Sequence, residues 1–250
     1  QNHLLQLLCL VGMEPPSNMT ADAIRNAKTE LLQGIKPFTP ERIRSQAVRA
    51  QYKGYREEDR VAPDSKTAAF CALKLEIENW RWAGVPFYLR TGKRMQTRVT
   101  EIAVQFKMPP LQLFKTVQCE GDVCDLTRAN PNVLTFRIQP DEGIALHFSA
   151  KRPAMQLVVE NVDMSFSYAD TWERSLQEAY ERLLIDVMRG DPTLFTRSDE
   201  VEAAWSVVDP ILELWESDAD VPVHAYEPGS WGPAAADELL QKNGHAWRNE

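Results

Sequence analysis

From residue 68 onward the hydrophobic period of this chain changes to two, and that change limits the possible fold more than any other feature. In FCALKLEIE, the apolar residues Cys71, Leu73, Leu75 and Ile77 alternate with Ala72, Lys74, Glu76 and Glu78. The alternation returns in EIAVQFK (Ile102, Val104, Phe106), LTFRIQ (Leu134, Phe136, Ile138) and IALHFSAK (Ile144, Leu146, Phe148), and more weakly in LVVENVDMSFSY. PFYLRTGK is a further strand, ending at Gly92. Successive side chains of a strand point to opposite faces, so the pattern predicts strands with one apolar and one polar face. Such strands suit an antiparallel or mixed sheet better than a parallel sheet buried on both sides.

Helical periods flank this region. QNHLLQLLCLVG is apolar on almost every side, which predicts a buried helix over 1–12, already under way at the first residue and packed against something upstream. Thr20 is placed to cap a helix over 21–34, and Thr39-Pro40-Glu41 repeats the signal with proline at the first helical position. The polar, aperiodic stretch 53–67 reads as an exposed loop. Later, Leu176, Ala179, Tyr180, Leu183, Leu184, Val187 and Met188 recur at three- and four-residue steps, up to a C-cap at Gly190. Ser198 is placed to cap a further helix whose stripe is Val201, Trp205, Val208, Ile211 and Trp215. The order helices, strands, helices predicts an α+β fold. It would be a large, predominantly antiparallel sheet with the helices at 172–189 and 198–216 packed on one face.

Charge and cysteine content exclude several classes. The 250 residues carry a net charge of −8, which argues against a nucleic-acid surface, since phosphate backbones are bound through a basic face. The four cysteines are too few for a disulfide scaffold, and the Cys119–Cys124 spacing has no histidine beside it to complete a zinc site. Reduced thiols, and hence a cytoplasmic location, are the expectation. No apolar run approaches the roughly 18 residues of a membrane helix, and the first residues lack a signal-peptide pattern, so no membrane partner is expected.

Chemistry is sparse when the chain is read alone. None of the eleven glycines forms a Gly-x-Gly pair, so neither a dinucleotide loop nor a phosphate-binding P-loop is written in it. LRTGKRMQTR concentrates Arg90, Lys93, Arg94 and Arg98 at a strand end. Such a cluster is either an anion site or a solvated charged turn. His3 is either a hydrogen-bonded core residue or a base whose orienting carboxylate comes from elsewhere, since no acidic residue lies within a helical turn of it. Arg137 and Gln139 share the polar side of their strand, as site residues or as solvated ones.

The blocks QNHLLQLLCL, NWRWAGVPFYLRTGKRM, RIQPDEG, AYERLLIDVMRGD, TRSDEVEAAW and GSWGP together resemble the C-terminal domain of the glucose-6-phosphate dehydrogenases, of bacterial type, across nearly the whole chain. The resemblance implies that residues 1–250 are the substrate-side and oligomerisation domain of an NADP-linked oxidoreductase that converts glucose 6-phosphate to 6-phosphogluconolactone. Residues 1–12 would form a helix from the junction with a nucleotide-binding domain lying upstream. It makes His3 the general base and Lys93 a substrate-binding residue, with Arg98 and Gln139 at further substrate-side positions. The catalytic NADP would be held mainly outside this chain, leaving the chain alone inactive. A second, structural NADP found in some members is not expected, because Val99, Ala103 and Trp231 stand where basic residues would grip it, although Arg90 and Arg137 match. Twofold dimers, or dimers of dimers, would form through the sheet. The competing possibility, from the residues alone, is a binding or oligomerisation module without catalysis.

Overall fold

The structure, a computed structural model, describes residues 1–108, 131–153, 159–172 and 179–249. The Cys119–Cys124 spacing and residues 173–178 of the expected long helix lie outside them. The chain divides into two compact units, Gln1–Thr97 with Glu178–Glu250, and Arg98–Gln177.

The first unit is built on a four-stranded sheet of order β3-β2-β1-β8, from β1 (Ala47–Tyr52), β2 (Phe70–Glu76), β3 (Pro86–Gly92) and β8 (Val223–Tyr226). Its pairs are antiparallel except β1 with β8, which run parallel. Helices α1 (Asn2–Gly12), α2 (Ala21–Gln33), α3 (Pro40–Gln46) and α6 (Ser198–Ser217) contribute to one core, with Leu5, Leu8, Leu31, Ile43, Leu75 and Ile211 among its buried members. Thr20 and Thr39 cap α2 and α3 as the sequence predicts, their hydroxyls accepting from Ala23 N and Arg42 N at 3.4 Å each. The cap of α6 is Arg197, one residue before the expected Ser198, and it makes no side-chain cap bond.

The second unit is a four-stranded antiparallel sheet of order β4-β5-β6-β7, from β4 (Thr100–Gln105), β5 (Val133–Gln139), β6 (Gly143–Lys151) and β7 (Val159–Ser167), followed by the single turn α4 (Tyr168–Thr171). Its register aligns Ile102, Phe136, Ile144 and Phe166 in one row. The offset row Thr135, Ala145 and Ser165 belongs to the opposite face, as the period of two demands.

The α+β class with mostly antiparallel pairing is the predicted one, but three details differ from the sequence expectation. The strands form two four-stranded sheets among the described residues, with β1 and β8 added to those foreseen. β2 is buried on both faces: Leu73 and Leu75 enter the first core, while Phe70 and Ala72 enter a second with Ala50, Tyr52, Tyr226, and Leu239 and Leu240 of α7 (Ala234–Gln241). Only the Lys74–Glu76 end of that second face is polar. Finally, α5 (Ala179–Arg189) covers no sheet within its unit and leaves Tyr180, Leu184, Val187 and Met188 exposed. Neither core of that unit includes an α5 residue; α1, α2, α3 and α6 contribute to one and α7 to the other.

The centre of the first sheet carries a buried cation. Arg49 on β1 is 3% exposed. Its guanidinium donates to the carbonyl oxygens of Trp215, of Val221 at 2.6 Å and of Pro222 at 3.4 Å, and lies 5.8 Å from the centre of the Trp215 ring. Burial pulls its pKa below the ordinary value, opposed by Asp218. Replacing Arg49 with alanine strands three carbonyls, so Arg49→Ala in the full-length protein is expected to cost about 3 kcal/mol of stability. The urea midpoint should fall while the slope of the transition stays constant.

Candidate functional site

The basic segment is a turn fastened by its backbone. Phe70 pairs with Gly92 at the end of β3, and a Cβ on Gly92 would stand 2.7 Å from the Phe70 ring and 2.9 Å from Met95 Sδ. The next residue, Lys93, has both main-chain groups occupied. Its N–H donates to Ala69 O at 2.8 Å, and its carbonyl accepts from the Tyr226 hydroxyl at 2.6 Å. Arg94 follows in the left-handed region (φ 48°), with its carbonyl accepting from Gly229 N at 2.8 Å. Gln96 N donates to Ser230 O at 3.0 Å. The Lys93 side chain is left exposed on this anchored frame.

The neighbouring arginines serve the scaffold. The Arg90 guanidinium lies 4.9 Å from the centre of the Trp231 ring and 4.7 Å from that of Trp247. It also donates to Arg248 O at 2.8 Å and to Asn249 Oδ1 at 2.7 Å, clasping the C-terminal segment to β3. Trp247 is held in turn by its indole N–H, which donates to Ala236 O at 2.9 Å. Arg94 sits 2.5 Å from the Glu58 carboxylate and over the Tyr52 ring at 5.0 Å, and Glu58 also accepts from the Tyr52 hydroxyl. Of the four cations in the segment, Arg90 and Arg94 thus have structural partners, whereas Lys93 and Arg98 expose their side chains.

Within this chain His3 is exposed on the first turn of α1. α1 is not buried all round: Leu5, Leu8, Cys9 and Gly12 form its buried stripe, and Leu10 faces outward. His3 and Lys93 belong to the first unit, Arg98 and Gln139 to the second. Within the second unit, Thr100 pairs with Gln139, so the strand register brings Gln139 to the end of β4 that Arg98 leads into. Arg137, two residues earlier on β5, is exposed on the same strand.

Tyr226, Trp247 and Glu58 escaped the sequence reading. A tyrosine ending a four-residue strand carries no spacing signal, and no motif in the sequence marks Trp247 or Glu58. Tyr226 is 3% exposed, and burial above all pushes its phenol up to about 12, so it remains a hydrogen-bond donor throughout the neutral and mildly alkaline range. The Cys9 thiol is likewise pushed up to about 12, first by burial and then by Glu200, which leaves it a poor nucleophile.

A cleft of about 1050 Å³ opens elsewhere in the first unit, lined by Lys36, Lys74, Glu76, Trp80 and His245 among others. Lys36 already pairs with Glu76 and Glu78 at 3.6 and 3.7 Å, and Lys74 with Glu76 at 3.5 Å, so the cleft offers no excess positive charge for an anion. Among the described residues, no helix is long and apolar enough to cross a membrane, and no group of three or more His, Cys, Asp or Glu could hold a metal ion.

The fold recurs along the whole chain in solved dehydrogenases. A crystal structure of glucose-6-phosphate 1-dehydrogenase from Mycobacterium avium matches with a TM-score of 0.82 at 38% identity, over 100% of this chain and 49% of that one. A glucose-6-phosphate dehydrogenase in complex with its substrate glucose-6-phosphate matches with a TM-score of 0.84 at 29% identity, over 99% of this chain and 50% of that one. The architecture is therefore that of an α+β domain of sugar-phosphate dehydrogenases. The family model "Glucose-6-phosphate dehydrogenase, C-terminal domain" matches residues 1–248, and the chain belongs to that family. The glucose-6-phosphate 1-dehydrogenases of Aggregatibacter actinomycetemcomitans and Mycolicibacterium smegmatis are each 45% identical over 99% of the chain. The chain spans about half the length of these relatives, 50% of each.

The double aromatic clasp yields a prediction. A lysine cannot lie flat between two rings and donate a planar fork at once. Arg90→Lys is expected to destabilise the protein by about 1–2 kcal/mol, read from the urea midpoint.

Proposed function

We propose that the chain is the substrate-side half of an enzyme that oxidises D-glucose 6-phosphate to 6-phospho-D-glucono-1,5-lactone with NADP+, the entry reaction of the oxidative pentose phosphate pathway, in the cytoplasm. Family membership over residues 1–248, together with an exposed lysine on a rigid turn, supports the reading most directly.

In this proposal Lys93 binds the sugar phosphate as a cation, and Arg98 and Gln139 keep the further substrate-side positions that the resemblance implies. Neutral His3 accepts the proton of the C1 hydroxyl as C1 loses hydride and its C–O bond becomes a carbonyl. A histidine imidazole suits acceptance of a proton from a sugar hydroxyl. The nicotinamide nucleotide supplies the hydride acceptor. None of this chain's glycines forms the Gly-x-Gly pair of a dinucleotide loop, so this chain's part is confined to the sugar and the proton. A second nucleotide site is not proposed: Trp231 and Trp247 already flank Arg90, one of the two matching cations. Association through the second sheet, as a dimer or a dimer of dimers, completes the proposal. Arg137, His147 and Asp163 share one of its faces by register, where His147 Nδ1 lies 2.5 Å from Asp163 Oδ1, giving the mixed polar surface that non-obligate interfaces commonly use.

Three measurements test this. His3→Ala in the full-length protein should lower kcat by roughly 10²- to 10⁴-fold with little change in substrate KM. A near-wild-type kcat would remove His3 from the base role. The chain on its own should reduce no NADP in the presence of glucose 6-phosphate; NADPH formation at 340 nm by the purified chain would contradict the division of labour. Sedimentation of the full-length protein at micromolar concentration should show a dimer or larger species, weakened by reversing the charge of Arg137.

A further inference from the structure

We infer that Tyr226 is the positioning residue for Lys93, acting through the lysine's backbone carbonyl and so setting the direction in which the ammonium group is presented. The inference rests on the proposal that Lys93 binds the substrate, and it adds a residue that no sequence motif marks.

Four strand ends meet where Lys93 leaves the sheet. Register pairs Gly92 with Phe70, Phe70 with Ala50, and Tyr52 with Tyr226. Tyr226, on the far edge strand, therefore sends its side chain beneath the ends of β1 and β2 to reach the turn after β3. The ring is held on its way, 6.2 Å from Tyr52 and 5.6 Å from Phe70 between ring centres. Its hydroxyl then meets Lys93 O at 2.6 Å, with Ala69 O at 3.4 Å as a weaker second acceptor. Ala69 O is the same atom that accepts from Lys93 N at 2.8 Å. The hydroxyl thus closes the second of the two main-chain groups of Lys93, and it is the side-chain donor that does so. Losing it frees the peptide plane between Lys93 and Arg94, and Arg94 already occupies a left-handed conformation that a non-glycine residue adopts only under constraint. Freedom of that plane loosens the backbone on the C-terminal side of Lys93, and with it the placement of the Lys93 side chain, before it disturbs either core.

Tyr226→Phe removes one oxygen and keeps the ring, hence its packing against Tyr52 and Phe70. In the full-length protein, the variant is expected to raise KM for glucose 6-phosphate roughly five- to tenfold, the scale set by one lost buried hydrogen bond, with KM for the nucleotide unchanged. Amide hydrogen exchange at residues 93–96 should accelerate while that of β1 and β2 stays the same. Lys93→Met should raise the sugar-phosphate KM further. In the Lys93→Met background, Tyr226→Phe should then add less than about twofold, because both changes act through one ammonium group. Independent, multiplying effects, an unchanged substrate KM, or unaltered exchange at 93–96 in Tyr226→Phe would overturn the positioning role while leaving Lys93 as a substrate ligand. An unchanged substrate KM in Lys93→Met would instead overturn the substrate reading itself, and the inference with it.

Discussion

The Arg49 guanidinium is the interaction on which the first unit depends. A strand from early in the chain must lie parallel to one that arrives more than 170 residues later, between Val223 and Tyr226. Parallel pairing has no hairpin to enforce it. Arg49 supplies the link instead, donating to the carbonyls of Trp215 at the end of α6 and of Val221 and Pro222 just before β8. It holds the α6–β8 connection against the central strand with a charge whose hydrogen bonds go to carbonyls, while Asp218 acts on it through space. Carbonyl dipoles and the Trp215 face offset the desolvation that a buried cation incurs.

What Arg49 fixes is passed on. With β8 in register, Tyr226 falls opposite Tyr52 and reaches Lys93, and the loop after β8 supplies Gly229 N and Ser230 O to the same turn. Gly232 then passes so close to Phe70 that a Cβ there would stand 2.6 Å from its ring. A segment that reads as either an anion site or a solvated charged turn is thereby an ordered frame with one exposed lysine. The proposed substrate contact draws its rigidity from a distant strand and not from its own sequence.

The two sheets answer the same sequence pattern differently. In the second unit the period of two means what it says, with apolar and polar rows on opposite faces. In the first, an identical-looking pattern in β2 has a small residue and an aromatic on its supposed polar side, and Phe70 and Ala72 became half of a second core once α7 covered them. Alternation reports which residues share a face. It does not report what will cover that face.

The sequence by itself determined the class of fold, six of the eight strands among the described residues, the threonine caps of α2 and α3, and the motifs that place the chain in its family. These are local properties: side-chain period, capping chemistry and short blocks of residues. β1 stayed hidden because burial on both sides and a cation at its centre erase the alternation that would announce a strand, and β8 because an edge strand of four residues is too short to show a period. The division of the basic cluster into the scaffold residues Arg90 and Arg94 and the exposed Lys93 was equally illegible, since four cations in a row look alike until their partners are known. Trp247, Glu58 and Tyr226 come from distant parts of the chain, and only tertiary structure could bring them to the turn. Spacing records neighbours along the chain, whereas the hydrogen bond that holds Lys93 joins residues 133 positions apart.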